Sequence, residues 1–315
     1  MRLEALPMGS GDQAAMEPLN WQTDGQRWPL HAWSRFVDAA GLRWHVQQLG
    51  AGPSLLLVHG TGATTHSWRA LAPLLAPHFS VTAFDLPGHG FTEGTPQGGM
   101  SLDAMSAAVA QLLETLQVRP HLAVGHSAGA AILCRMALDG QPVARHIVSL
   151  NGALLPFHRL QRLLFGPVAR LLAVSPLAAR AVAWSARERS AVLRLLAGTG
   201  SVLDSTGVDL YWRLVRSERH VHGALRMMAQ WNIETLEHEL PRLPLPLTLV
   251  VGDADLMVPP AQAERVRQLL PHAGLVRLGR LGHLAHEEQP QAVAAILQDL
   301  AGQGLAARLP SGDRR

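Results

Sequence analysis

Val124-Gly125-His126-Ser127-Ala128-Gly129 reads as the end of a strand, a sharp turn and the start of a helix. Before it, Leu122-Ala123-Val124 is a short apolar run suited to a strand buried on both faces. After it, Ala130-Ala131-Ile132-Leu133-Cys134-Arg135-Met136-Ala137-Leu138 is a good helix former. The two glycines of this G-x-S-x-G leave room around a strained middle residue, and such a turn aims the Ser127 hydroxyl out of the sheet at a reactant. The helix that follows opens with free N–H groups, which favour negative charge beside the serine. A tight turn with an incidental serine has the same local sequence, so partners elsewhere in the chain decide between the two.

Composition bounds the answer. A chain of 315 residues, 48% of them hydrophobic, buries a full core and suits one α/β domain with an insertion. No run of 18 apolar residues occurs, so no spanning helix is expected, and the opening residues lack an apolar core of signal-peptide type. The single cysteine, Cys134, excludes a disulfide framework and fits a reducing, cytoplasmic setting; its place in the helix after Ser127 reads as core packing. All 27 cations are arginine and the net charge is only +3, too small to argue for nucleic acid.

Taken in order, residues 1–18 are aperiodic and read as a disordered extension. The arm Leu19 to Pro29 carries Trp21 and Trp28, expected to pack on the main domain. Ser34-Arg35-Phe36-Val37 and Leu42-Arg43-Trp44-His45-Val46-Gln47 form an opening hairpin around Ala39-Ala40-Gly41. Leu55-Leu56-Leu57-Val58 is a buried strand ending in His59-Gly60-Thr61-Gly62, and Val81-Thr82-Ala83-Phe84 is another, ending in Asp85-Leu86-Pro87-Gly88-His89-Gly90. A helix from Leu102 to Leu116 precedes the Ser127 strand, and His146-Ile147-Val148-Ser149-Leu150 follows it. This alternation predicts a mostly parallel, doubly wound sheet whose ligands bind at the carboxyl ends of the strands.

From 153 to 231 the alternation gives way to helical spacing, with a helix opening at Ser175-Pro176 and running to about Leu196, and two more near Tyr211-Trp212 and Val221 to Met228. We read this as an inserted cap over a core made of 19–152 and 232–300, with 301–315 as a tail. Between Gly152 and Gly200 the insertion has seven arginines (Arg159, Arg162, Arg170, Arg180, Arg187, Arg189, Arg194) against one acid, Glu188. The strand Leu247-Thr248-Leu249-Val250-Val251 ends in Gly252-Asp253-Ala254-Asp255-Leu256-Met257-Val258-Pro259, and Gly274-Leu275-Val276-Arg277-Leu278 precedes Gly282-His283.

A serine hydroxyl needs a base to take its proton and an acid to orient that base. G-x-S-x-G, G-x-x-D-x-x-V-P and G-H, in the order Ser127, Asp255, His283, resemble the α/β-hydrolase superfamily, as do His59-Gly60 and Asp85-x-Pro87-Gly88-x-Gly90. The resemblance implies that Ser127 is nucleophile, Asp255 acid and His283 base. Asp253 competes with Asp255, which motif position favours. It also implies an oxyanion hole from the Ala128 N–H with that of Thr61 or Gly62, and a structural role for the Asp85 turn. His220-x-His222 and His283-x-x-His286 have metal-like spacings but lack a completing acid or cysteine set, so no metal and no cofactor are implied.

Asn20-Trp21, Asp24-Gly25, Trp28-Pro29, the hairpin, Gly60-Thr61-Gly62-Ala63-Thr64-Thr65-His66-Ser67-Trp68-Arg69 and Asp85 to Thr92 also resemble the magnesium-chelatase accessory proteins of bacteriochlorophyll biosynthesis, themselves capped hydrolases. That narrower likeness runs from about Leu19 to Leu300. Three readings stay open: a serine hydrolase acting on a carboxylic ester or related acyl group, such as a tetrapyrrole intermediate; a porphyrin-binding accessory of magnesium chelatase without turnover; and a generic esterase or cofactor-free haloperoxidase-like enzyme. The cap's Trp184, Tyr211 and Trp212 are candidate substrate contacts, and its arginines suit porphyrin carboxylates or an anionic face of the inner membrane.

Overall fold

The computed structural model describes residues 19–156, 175–185 and 188–306. The expected N-terminal extension and the cap arginines Arg159, Arg162, Arg170 and Arg187 lie outside the described residues. Eight strands form one sheet: β1 (Ser34–Ala39), β2 (Leu42–Leu49), β3 (Ser54–Val58), β4 (Ser80–Phe84), β5 (Leu122–His126), β6 (His146–Leu150), β7 (Leu247–Val251) and β8 (Gly274–Arg277). Their order is β1-β2-β4-β3-β5-β6-β7-β8. β1 and β2 pair antiparallel, and β2 pairs antiparallel with β4; all later pairings are parallel. Ala40 and Gly41 both take positive φ, the two-residue turn whose twist matches a hairpin.

Strand alternation divides the core. Leu56 and Val58 of β3 face one layer, with Met105, Val109 and Leu112 of the helix Leu102–Thr115 and Ile132 and Leu133 of the helix Ala128–Leu138. Leu55 and Leu57 face the other, with Leu71 and Leu75 of the helix Leu71–Leu75 and Val293 and Leu297 of the helix Pro290–Ala306. A sheet apolar on both faces must be covered on both faces. β3 has β4 on one side and β5 on the other, so the strand order reverses there. The loops after β3 and β5 flank the crevice that such a reversal opens.

Some boundaries differ from expectation. The cap helix expected from Pro176 to Leu196 is two helices, Pro176–Ser185 and Arg189–Ala197, with Glu188 extended at the second N-terminus, where its charge suits the helix dipole. The last helix continues past Leu300 to Ala306. Trp28 of the arm is buried and stacks edge-on against Phe91, while Trp21 does the same against Phe36 and Phe91. The cap shares a hydrophobic cluster with this arm and with the core, through Val192, Leu196, Val208, Tyr211 and Leu214 against Leu19, Trp28, Ala63 and Leu284.

Candidate active site

Ser127 sits between β5 and the helix Ala128–Leu138 with φ 51° and ψ −118°, a strained conformation for a residue with a side chain. Close packing imposes it. A Cβ on Gly129 would lie 2.2 Å from the Val58 carbonyl oxygen, and one on Gly60 would lie 2.8 Å from Ser127 Cβ. The turn is therefore wedged against the end of β3, and the loop after β3 lies directly on the serine. Backbone bonds hold it from below: Ser127 N–H donates to Leu150 O at 3.0 Å, and Ala153 N–H donates to Ser127 O at 3.1 Å.

Asp255 follows β7 and is buried. Its Oδ1 accepts the N–H groups of Met257 and Val258, each at 2.8 Å, so the loop folds around the carboxylate. Its Oδ2 lies 2.8 Å from His283 Nδ1 and 2.8 Å from Asn151 Nδ2, which donates to it. Asp253 instead faces outward and pairs with Arg277. The structure therefore joins Asp255 to His283 and leaves Asp253 on the surface. It draws no hydrogen bond between Ser127 Oγ and His283. What links His283 to the serine turn is His126, whose Nε2–H donates to His283 O at 2.9 Å and whose ring lies 4.7 Å from that of His283.

The backbone N–H groups of Thr61, Gly62 and Ala128 donate no hydrogen bond within the described residues. A Cβ on Gly62 would meet nothing within 4 Å, so the space beside it is open. The loop is held from behind: His59 Nδ1–H donates to Gly60 O, and its Nε2 accepts from Leu86 N–H. That pattern fixes a neutral tautomer, and burial lowers the proton affinity of the ring. Asp85 accepts N–H groups from Thr65 and Phe91 and faces His45 Nδ1 at 2.9 Å. Burial alone would raise its carboxyl pKa, but His45 and these donors hold it far below the usual range.

The cap reaches into the same loops. His220, in the helix Glu218–Gln230, accepts from Gly90 N–H on Nδ1 and donates to Gly62 O through Nε2 at 3.1 Å. Thr61 Oγ1 donates to Met227 Sδ at 3.5 Å. Tyr211, in the helix Ser205–Val215, donates its hydroxyl to Glu287 Oε1, and Glu287 also pairs with Arg69. Arg69 in turn binds Asp204 at the cap's N-cap position. Burial pushes the Glu287 carboxyl up to about 7 against the pull of Arg69 and Tyr211. The Tyr211 hydroxyl is thus committed to the protein, Trp212 is half-buried, and Trp184 is largely exposed. Thr199 O accepts both Leu256 N–H, at 3.4 Å, and His283 N–H, at 3.0 Å.

Sequence reasoning singled out neither Asn151, His126 nor Thr199 for this site. His126 stands inside the diagnostic hexapeptide, and Asn151 directly follows β6 at the strand edge where Asp255 and His283 also lie; those positions were the available signals. Thr199 acts through its carbonyl, which no residue pattern marks.

The sequence profile described as the alpha/beta hydrolase fold matches residues 53–290, and the chain belongs to that family. It is 37% identical over 86% of its length to the magnesium-chelatase 30 kDa subunit of Rhodobacter capsulatus, covering 95% of that protein. It is 27% identical to an uncharacterized hydrolase of Bacillus subtilis, with 84% of this chain and 95% of that one aligned. An α/β-hydrolase-fold protein from Burkholderia ambifaria superposes with a TM-score of 0.69 at 25% identity, over 84% of this chain and 99% of that one.

Proposed function

We propose that this protein is a serine hydrolase in which Ser127 Oγ attacks the carbonyl carbon of a carboxylic ester or related acyl substrate. His283 Nε2 takes the serine proton and returns it to the leaving oxygen, while Asp255 fixes the Nδ1–H tautomer and stabilises the imidazolium. The carbonyl oxygen gains its negative charge beside the Ala128 N–H and that of Thr61 or Gly62, a contribution of about 3 kcal/mol per donor to the transition state. Water, activated by the same histidine, then cleaves the acyl-enzyme. The observation that carries this reading is the buried Asp255–His283 contact of 2.8 Å, at the strand edge where Ser127 occupies its strained turn.

The test is labelling by a fluorophosphonate, whose phosphorus is attacked as the carbonyl carbon would be. The parent should label, and Ser127→Ala should fold and fail to label. Equal labelling of the two would remove Ser127 from the chemistry.

A second reading is favoured by the likeness to the magnesium-chelatase subunit. In it the chain serves magnesium insertion in bacteriochlorophyll synthesis, with a tetrapyrrole as substrate or as bound ligand beneath Trp184 and Trp212 and in contact with the chelatase. Protoporphyrin that binds and also slows phosphonate labelling supports a tetrapyrrole in the site. Binding that leaves labelling of Ser127 untouched supports an accessory role without turnover.

A further inference from the structure

Four large apolar side chains stand out of the surface where the cap meets the loops of Asp255 and His283. They are Val202 (82% exposed), Leu256 (64%), Leu195 (56%) and Met257 (44%). The backbone brings them together. Leu256 N–H donates to Thr199 O, and a Cβ on Gly200 would lie 3.2 Å from Leu256 Cγ. Leu195 sits in the last turn of the helix Arg189–Ala197, just before this junction, and Val202 just after it. Burying such residues is the default, so a cluster of this kind left in water marks a surface made to meet something apolar.

The cluster's rim carries two exposed cations, against one half-buried carboxylate, Glu288, that is bound to backbone N–H groups. Arg194 and Arg280 are exposed and form no ion pair within the described residues. Arg280 belongs to the turn on which the Asp255 loop rests, since Asp253 N–H donates to Gly279 O and Ala254 N–H to Leu281 O. The nearby acids are engaged: Asp253 with Arg277, Asp255 with His283, and Glu288 with the N–H groups of Val202 and Gly282.

We propose that this rim, Leu195, Val202, Leu256 and Met257 with Arg194 and Arg280, docks on an anionic lipid surface. Protruding aliphatic side chains enter the headgroup–acyl boundary while guanidinium groups meet lipid phosphates, and the two contributions add. The two exposed arginines decide between occupants: an anionic bilayer pairs with both of them, whereas the rim of a second copy offers them only the half-buried Glu288, already bound to backbone N–H groups. Docking here places the candidate active site beside the membrane, where a substrate partitioned into lipid would reach it. The inference does not depend on turnover and holds for either functional reading.

The test is co-sedimentation of the full chain with vesicles of phosphatidylglycerol and phosphatidylcholine, against vesicles of phosphatidylcholine alone, at low and high salt. The parent should bind the anionic vesicles and be released by salt. Arg194→Gln and Arg280→Gln should each lower affinity about fivefold. Leu195→Glu with Val202→Glu should abolish binding, while Trp33→Ser, which alters an exposed tryptophan before β1 at the opposite edge of the sheet, should leave it unchanged. A fluorophore on Val202→Cys should brighten on binding. Unchanged affinity in the rim variants, equal binding to neutral vesicles, or a parent dimer that Leu195→Glu with Val202→Glu splits into monomers would each overturn the proposal.

Discussion

Asn151 donates its side-chain amide to Asp255 Oδ2 at 2.8 Å, onto the same oxygen that faces His283 Nδ1. With Met257 and Val258 on Oδ1, the buried carboxylate meets four donors, and its orientation is set from three separate loops. Asn151 pays for this position with a φ of 46°. Its amide also donates to Gly282 O at 3.3 Å, just before His283, so it acts on the candidate chemistry through Asp255 and the His283 loop, as a positioning residue.

Removing that donor should be felt at the serine. Asn151→Ala deletes a hydrogen bond to a charged group, worth about 1.5–3 kcal/mol, so phosphonate labelling of Ser127 should slow by about 10- to 100-fold. Asn151→Asp sets a second carboxylate against the first and should slow it further. Parental labelling rates in both folded variants would show that Asp255 holds His283 unaided.

The two aspartates of the β7 loop should separate cleanly. Asp255→Asn stabilises the wrong imidazole tautomer and should depress reaction at Ser127 by about 10⁴. Asp253→Asn breaks only its solvent-facing contact with Arg277, which costs less than about 1 kcal/mol of stability, and should react as the parent does. The reverse ranking would transfer the role to Asp253.

Acid should destabilise this fold early. Burial, the leading cause in each case, lowers the pKa of six enclosed histidines: His59, His66, His89, His126, His220 (to about 4) and His286 (to about 3). Below pH 6.5 the unfolded chain protonates these rings and the native chain does not, so stability is lost as pH falls, by up to about 1.4 kcal/mol per ring per pH unit. Glu287 has the opposite sign: raised from 4.5 to about 7, it adds stability that is full below pH 4.5 and gone above 7. One carboxyl does not offset six imidazoles. The urea midpoint should drop steeply from pH 6.5 to 5, and a flat profile would mean that the rings find their protons in the native state.

Cys134 should be silent in the native protein. Its thiol is buried in the helix after Ser127, and burial pushes it up to about 12, leaving no thiolate at neutral pH. Ellman's reagent should react only after unfolding; rapid reaction of the native protein would show that this helix opens.

The parts legible in the sequence were those where local geometry dictates residue type. A turn with Ser127 at positive φ, pressed against a neighbouring strand, needs glycine at 125 and 129, and that pattern stands out in one dimension. Buried parallel strands such as Leu55 to Val58 announce themselves as apolar runs. The break at Glu188 was not legible, because neither Glu188 nor Arg189 is a breaker and helical spacing continues through them. Nor was the Tyr211–Glu287–Arg69 contact, whose members lie far apart and carry no shared pattern. Tyr211 read as a free aromatic face; only the folded chain shows its hydroxyl occupied.

One carbonyl, that of Thr199, receives the N–H groups of both Leu256 and His283, and Ser201 Oγ accepts that of Leu284. The segment between the cap helices Arg189–Ala197 and Ser205–Val215 is therefore a splint between the loops of the candidate acid and base. Hydrolases are attractive scaffolds for chimeras in which one cap is exchanged for another to change specificity. In this chain the graft boundary matters: a transplant that moves the 199–201 backbone would take the acceptor from the Leu256 and His283 N–H groups, whereas one that keeps the path of this tripeptide would leave both loops tied to it.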